Sequence, residues 1–476
     1  MNVLLITLDQ LRGDCLSAAG HPVVRTPALD RLAASGVRFA RHYSQAAPCG
    51  PGRACLYTGT YQMNNRVVGN GTPLDDRFDN VARAARRAGY VPTVFGYTDQ
   101  GIDPRVASGP ADARLSTYQG YPPGFEVELE LPDEQDAWRA WLEALGYGAL
   151  PDGETALMTE SERPAEHGVS AFLTDALVSW LDRQDGAWCA HASYWRPHPP
   201  YAAAGHWSTR YDPDGVVPAL APPDRAVPTS GRLVEQAPGD APRLRHLQAQ
   251  YYGMVSAVDD QLGRLWDALV DLGMWDDTFV VVTADHGEQL GDQGTIGKGG
   301  CFESSYHVPC IVRDPRRPEV HGRVVDAFTE NVDVLPTVCE ALGLGVPAQC
   351  DGLPLTPFLT GDEPPWWRDA AHWEYDWRWE YIPFGPHPWP WDRRLESKHL
   401  AVLRTDSAAY VQFDDGQWRC FDLGADPTWR TEVDDAAVVL EHAQAMLTWR
   451  ARHADRTLAD MLLVDGGIGR PPQVVA

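Results

Sequence analysis

Short apolar, β-branched runs that stop abruptly at polar residues, separated by stretches of helical period, constrain this chain more than any other feature. Strands buried on both faces read as near-continuous apolar runs, because helices in the intervening chain cover the two faces of a parallel sheet. The clearest runs are Val3 to Leu8, Val91 to Gly96, Ala187 to Tyr194 and Thr278 to Thr283. Amphipathic segments open at Thr26-Pro27, where proline suits a first helical turn, and cover 80–88, 168–182 and about 244–271. In the last, Tyr251, Met254, Val258, Leu262, Leu265 and Leu269 recur at helical steps and read as core packing. The predicted fold class is α/β: a mixed, mostly parallel central sheet flanked by helices, with a small α+β unit at the C-terminus.

A length of 476 residues suits one large core and a smaller partner. The composition shifts at Asp362 to Pro365, so the expected division is 1–365 for the catalytic domain and 366–476 for the small one. The latter begins with the aromatic run WWRDAAHWEYDWRWEY. Short strands follow at Ala401 to Arg404, Tyr410 to Phe413 and Trp418 to Leu423, around an Asp414-Asp415-Gly416 turn, then a helix over 435–452. Residues 202–243, rich in Pro, Ala and Asp, read as a long surface excursion. Sixty-six acidic against forty basic residues give a formal charge of -26, which repels nucleic acid and anionic lipid. No apolar run is long enough to span a bilayer. The start MNVLLITLDQ lacks the features of a signal peptide, and nine cysteines without regular spacing point to free or buried thiols in a reduced, cytoplasmic setting.

Open α/β sheets bind ligands at the carboxyl ends of their strands. Asp9 and Gln10 follow the first predicted strand, Tyr97 and Asp99 the second, His198 the third, and Asp285 with His286 the fourth. Any one of these alone is an ordinary turn or cap residue; their convergence is what suggests a site. In Cys49-Gly50-Pro51-Gly52-Arg53-Ala54-Cys55-Leu56-Tyr57-Thr58-Gly59, a Cys and an Arg stand where a Gly/Pro-rich loop enters a helix. Backbone N–H groups there favour a bound oxyanion. The plainer reading is a capped turn with a buried thiol.

That stretch resembles the sulfatase signature, in which Cys-X-Pro-X-Arg directs oxidation of the Cys to formylglycine. Cys49, Pro51, Arg53, Thr58 and Gly59 match it, and Gly52 departs where most members carry Ser. The resemblance extends over most of the chain. It implies an alkaline-phosphatase-like fold, metal carboxylates at Asp9 and Asp285, further ligands at Gln10, His286 and Cys49 itself, and Lys298 beside them. An amide and an imidazole among the ligands move the expected preference from Ca²⁺ toward Mn²⁺. Met63-Asn64, Asn70, Pro73-Leu74-Asp75, Gly96-Tyr97-Thr98, the run YWRPHPP and the tail ARHADRTL are similar to phosphonate monoester hydrolases and the arylsulfatases that share their form. By that likeness Asn70, Tyr97, His198 and Lys298 contact the transferred group or leaving oxygen. Asp99 is a departure, since those hydrolases carry Thr there, and the base His of other sulfatases has no counterpart.

The resemblance implies hydrolysis of a small anionic ester through a formylglycine made from Cys49 by a formylglycine-generating system. Arg53, Lys298 and Asn70 are expected to stabilise charge on the non-bridging oxygens, Asp285 to take a proton, and His198 or Lys298 to protonate the leaving group. Tyr97, Asp99 or solvent would assist breakdown of the covalent intermediate. The charge of Asp99 disfavours dianionic phosphate monoesters, which ranks aryl sulfates first, with phosphonate monoesters and phosphodiesters behind. The aromatic patch from Trp373 to Trp379 is a candidate seat for an aryl group, with small-domain packing as the alternative. A homodimer or homotetramer joined partly through the tail is also implied. The competing classes are a thiolate phosphatase, which needs a longer Cys-to-Arg spacing than the three residues here, and a non-catalytic metal-binding relative.

Overall fold

A computed structural model of the chain describes residues 1–227, 235–377 and 398–454, with the backbone of two short strands at Leu462–Val464 and Gly467–Gly469. Eight strands form the central sheet in the order Arg323–Glu330, Val37–Tyr43, Cys310–Arg313, Thr278–Thr283, Asn2–Leu8, Cys189–Tyr194, Pro92–Gly96 and Glu126–Glu130. Every neighbouring pair is parallel except the two made by Cys310–Arg313. The four runs legible in the sequence are the four adjacent strands from Thr278–Thr283 to Pro92–Gly96. They are buried along their whole length, which is why they read as continuous apolar runs. The edge strand Glu126–Glu130 is mostly exposed and carries alternate glutamates, so its sequence hides it while its charge protects the edge.

Side chains alternate across the sheet. Leu4, Ile6 and Leu8 pack on one face with Leu29, Leu32, Leu177, Met254 and Val258. Val3 and Leu5 pack on the other with Leu56, Tyr57, Val334 and Leu335. The helix Pro27–Ala34 begins at Thr26, whose side chain makes no capping bond. Asp259, from the long helix Ala241–Asp271, supplies the cap from outside: its carboxylate accepts from Ala28 N at 3.0 Å and Leu29 N at 2.8 Å.

A second sheet of five strands runs Trp418–Asp422, Ala408–Phe413, His399–Arg404, Ala371–Asp376 and Ala46–Ala47. Its last strand comes from just before Cys49 and pairs in parallel with Ala371–Asp376, which ties the small sheet to the candidate nucleophile. The helix Ala436–His453 covers this sheet through Met446 and Trp449. Trp373 is fully buried and stacks between Tyr43 and Tyr306, with ring centroids 5.6 and 5.1 Å away, so it packs the core and cannot receive an aryl group. Trp379 and the tail from Asp455 to Leu458 lie outside the described residues. The excursion at 202–243 carries 3-10 turns at Gly205–Thr209 and Pro213–Gly215 and a short strand at Glu235–Gln236. No helix among the described residues is long and apolar enough to cross a membrane. All nine cysteines are buried and free.

Candidate active site

Strand register sets the site. Leu8 lies opposite Tyr194, Thr7 opposite Thr283, and Gly96 opposite Ser193, so the residues that follow these strands emerge at one edge of the sheet. Asp9, Asp285, Tyr97 and Asp99 all arrive there, and all are buried. Cys49 and Arg53 are four apart in the helix Cys49–Thr58 and therefore share the face that meets them.

Arg53 is fully buried beneath this edge. Its Nε donates to Asp285 Oδ2 and its Nη2 to Asp9 Oδ2, both at 3.0 Å; Nη1 donates to Ser193 Oγ at 2.7 Å and Tyr97 O at 3.0 Å. The guanidinium also lies over the Tyr97 ring, whose hydroxyl donates to Asp9. In this arrangement Arg53 directs its donors to protein acceptors and holds two carboxylates in place. Tyr97 likewise directs its hydroxyl to Asp9. Asn70 Oδ1 accepts from Gly50 N at 2.8 Å and so caps the helix that carries Cys49, which its preceding Pro48 leaves without a side-chain cap. The loss of Ser at position 52 also has a physical reason. A β-carbon there would lie 2.5 Å from the Asp285 carbonyl oxygen, so only glycine permits this approach.

Asp9 Oδ1 is buried and has no hydrogen-bond partner among the described residues. His286 Nδ1 lies 3.0 Å from Gly287 O, which makes it the protonated nitrogen and leaves the Nε2 lone pair facing Cys49 Sγ at 3.3 Å. Ligand atoms of Asp9, Cys49, Asp285 and His286 lie within 4.8 Å of one another. An orphaned carboxylate oxygen, an imidazole fixed by a backbone carbonyl and a second carboxylate are what a divalent ion needs, and the four buried groups fit one. Burial, with the Lys298 ammonium nearby, pushes the His286 imidazole down to about 3. Burial and Asp9 push Asp285 up, whereas the surrounding cations overcome burial at Asp9 and keep it ionised.

Lys298 Nζ donates to Gln10 Oε1 at 2.9 Å, contacts Cys49 Sγ at 3.2 Å and lies 2.8 Å from His198 Nε2. Burial alone would lower its pKa, but Cys49 and Asp9 hold it up at about 12, so it is an ammonium. His198 Nδ1 donates to Pro199 O at 2.7 Å, so Nε2 accepts from Lys298. Burial and Lys298 push this imidazole down to about 3. The Cys49 thiol is pushed well above its ordinary range by burial and Asp9. As an unmodified residue it is therefore a poor thiolate, which weighs against thiolate-phosphatase chemistry. Asp99 has the left-handed φ of 51°, is buried with Oδ1 unpartnered, and is pushed up to about 7 by burial. Gln100 Nε2 bonds both Asp99 O and Gly50 O, which fixes Asp99 against the residue next to Cys49.

Two residues of this site went unread in the sequence. Ser193 holds Arg53 from the last turn of an apolar strand, with no local signal. Glu288 sits in the same run as Asp285 and His286, where a buried acid three residues past a ligand could have been tested as its support.

The sulfatase family model matches residues 1–344, and a model described as the C-terminal part of N-sulphoglucosamine sulphohydrolase matches 291–452. The chain is 34% identical to a multifunctional alkaline phosphatase superfamily protein, PehA, of Trinickia caryophylli, over 96% of both chains. It superposes on the phosphonate monoester hydrolase of Agrobacterium radiobacter with a TM-score of 0.89 at 40% identity, covering 99% of both. An arylsulfatase of Clostridium perfringens is 26% identical over 91% of this chain and 90% of its own. The fold and these matches define a hydrolase of the alkaline phosphatase superfamily that acts on sulfate or phosphonate esters. Within it, this chain belongs to the sulfatase family, whose members generally use a divalent metal and a formylglycine.

Proposed function

We propose that this protein hydrolyses monoanionic esters of tetrahedral phosphorus or sulfur, with phosphonate monoesters and phosphodiesters ahead of sulfate monoesters, at a formylglycine formed from Cys49. The observation that carries the proposal is the position of Cys49: its Sγ stands 3.3 Å from His286 Nε2 and 3.2 Å from Lys298 Nζ, at the mouth of the Asp9, Asp285 and His286 cluster. Gln10 Oε1 faces the same point from the side of Lys298. A divalent ion bound there would supply Lewis acidity and lower the pKa of a hydroxyl on the modified residue 49.

The chain's own residues do the rest. Arg53 fixes Asp9 and Asp285 without reaching the substrate. Asp285, pushed up by burial, is the acceptor for the nucleophile's proton. Lys298 places a positive charge beside residue 49 and against the developing negative charge of the transferred group. The Lys298 ammonium is also the group that carries a proton for the departing oxygen, and neutral His198, accepting from it at Nε2, orients it. Asp99 supports the monoanionic class. It is buried close to Cys49 and is pushed up to about 7, so its ionised form would repel the second charge of a phosphate monoester more than the single charge of a sulfate, phosphonate monoester or diester. The order within that class follows the phosphonate monoester hydrolase likeness, which at 40% identity is stronger than the arylsulfatase likeness at 26%.

The test compares 4-nitrophenyl phenylphosphonate with 4-nitrophenyl sulfate, using protein made beside a formylglycine-generating system. Mass spectrometry of the Cys49 peptide accompanies each preparation. The expected outcome is an aldehyde at residue 49, faster phosphonate turnover, and loss of both activities in Cys49→Ala. Faster sulfate turnover would reverse the order, and equal activity in Cys49→Ala would refute the mechanism.

A further inference from the structure

Glu288 is buried, and among the described residues every group bonded to it is a donor. Its Oε1 accepts from Leu290 N and from Gly297 N, both at 2.7 Å, and its Oε2 accepts from Gln10 Nε2. Both carboxyl oxygens therefore act as acceptors in these three bonds. On the far side of the same amide, Gln10 Oε1 accepts from Lys298 Nζ at 2.9 Å. An ammonium can only donate and this carboxylate can only accept, so between them the amide has one allowed orientation.

We propose that Glu288 is a positioning residue that fixes the polarity of Gln10, turning the amide oxygen rather than the NH₂ toward Lys298 and the metal-binding cluster. The inference rests on the reading of Asp9, Gln10, Cys49, Asp285 and His286 as a metal site. The same carboxylate holds Gly297 N, the residue before Lys298, so it couples the end of the strand Asn2–Leu8 to the Lys298 loop. The backbone of Gln10 adds a second constraint. Its φ is 65° and its N–H donates to Asp285 Oδ1 at 3.2 Å, so the backbone that carries the amide is itself tied to the cluster.

An isosteric change at residue 288 would reverse this polarity. In Glu288→Gln, Oε1 must keep accepting the two backbone N–H groups, so the new NH₂ faces Gln10. Gln10 then turns its oxygen to that NH₂ and its own NH₂ to Lys298, which removes an oxygen ligand and sets donor against donor. Restoring the polarity requires an acceptor on both sides of residue 10, which Gln10→Glu supplies.

Mn²⁺ binding to full-length protein stripped of metal, followed by calorimetry, tests this without reference to turnover, with thermal melts on each variant to establish folding. Glu288→Gln is expected to weaken Mn²⁺ about 10- to 100-fold, the usual range for loss of a residue that orients a ligand. The double variant Gln10→Glu/Glu288→Gln is expected to return to within about threefold of the wild type, and Gln10→Glu alone, with two carboxylates facing each other, to lose thermal stability. Unchanged affinity in Glu288→Gln, or a folded double variant as weak as the single one, overturns the proposal. A wild-type protein that takes up no Mn²⁺ overturns instead the metal reading beneath it, and the two failures are distinguished by which protein shows them.

Discussion

At the scale of single residues, the site depends on groups that hold its carboxylates in place. Arg53 makes two charge-assisted bonds, to Asp9 and Asp285, with a planar fork that a lysine cannot reproduce. In Arg53→Lys one of the two buried carboxylates loses its partner. The expected result is a fall in kcat/KM of about a hundredfold or more, with a lower melting temperature, measured on metal-loaded protein. Gly52 makes a narrower prediction. Gly52→Ser restores the residue most family members carry, yet here the new β-carbon would press on the Asp285 carbonyl oxygen. Turnover should fall about tenfold or more even where mass spectrometry finds residue 49 fully oxidised, because a displacement near 1 Å at a catalytic group is enough for such a loss. Full activity in Gly52→Ser would mean that the helix can retreat.

At the scale of elements, what was legible in the sequence followed burial. The four central strands announced themselves because both their faces are covered, and the reactive residues at their ends followed from that reading. Glu126–Glu130 stayed hidden because exposure gave it glutamates at alternate positions, and Val37–Tyr43 because Arg38, Arg41 and His42 interrupt its apolar run. The roles of Arg53, Tyr97 and Asn70 were illegible for another reason. Residue type and spacing tell which groups gather, while the direction of each hydrogen bond depends on the packed positions of segments far apart in the chain. Asp259 is of this kind: nothing near it in sequence marks it as the cap of a helix more than two hundred residues earlier. Asp259→Ala removes both cap bonds, and an expected loss of about 1–2 kcal/mol in denaturant unfolding follows from ordinary capping energies.

At the scale of the whole molecule, buried ion pairs tie the small sheet to its covering helix, and their protonation is expected to limit stability in acid. Glu374 lies on the strand Ala371–Asp376, pairs with Arg450 of the covering helix and with His399, and accepts from Met63 N at 2.9 Å in the segment just beyond the nucleophile helix. Burial alone would raise its pKa, but His399 and Arg450 bring it down from the ordinary 4.5 to about 2. Because the folded value lies below the unfolded one, the stabilisation is fully present above pH 4.5 and is lost as the pH falls toward 2. A depression of that size corresponds to roughly 3 kcal/mol. Glu374→Gln keeps the shape and gives up the titration, so its melting temperature should be lower than the wild type's at pH 7 and should converge on it as the pH is lowered through 4 toward 3. The strand paired with Glu374 is Ala46–Ala47, which leads directly into Cys49. Loss of activity should therefore accompany acid loosening of the small sheet before the central sheet unfolds. Calorimetric melts and residual turnover recorded across that pH range check both statements, and a constant gap between the two proteins at every pH would show that Glu374 is not the group that titrates.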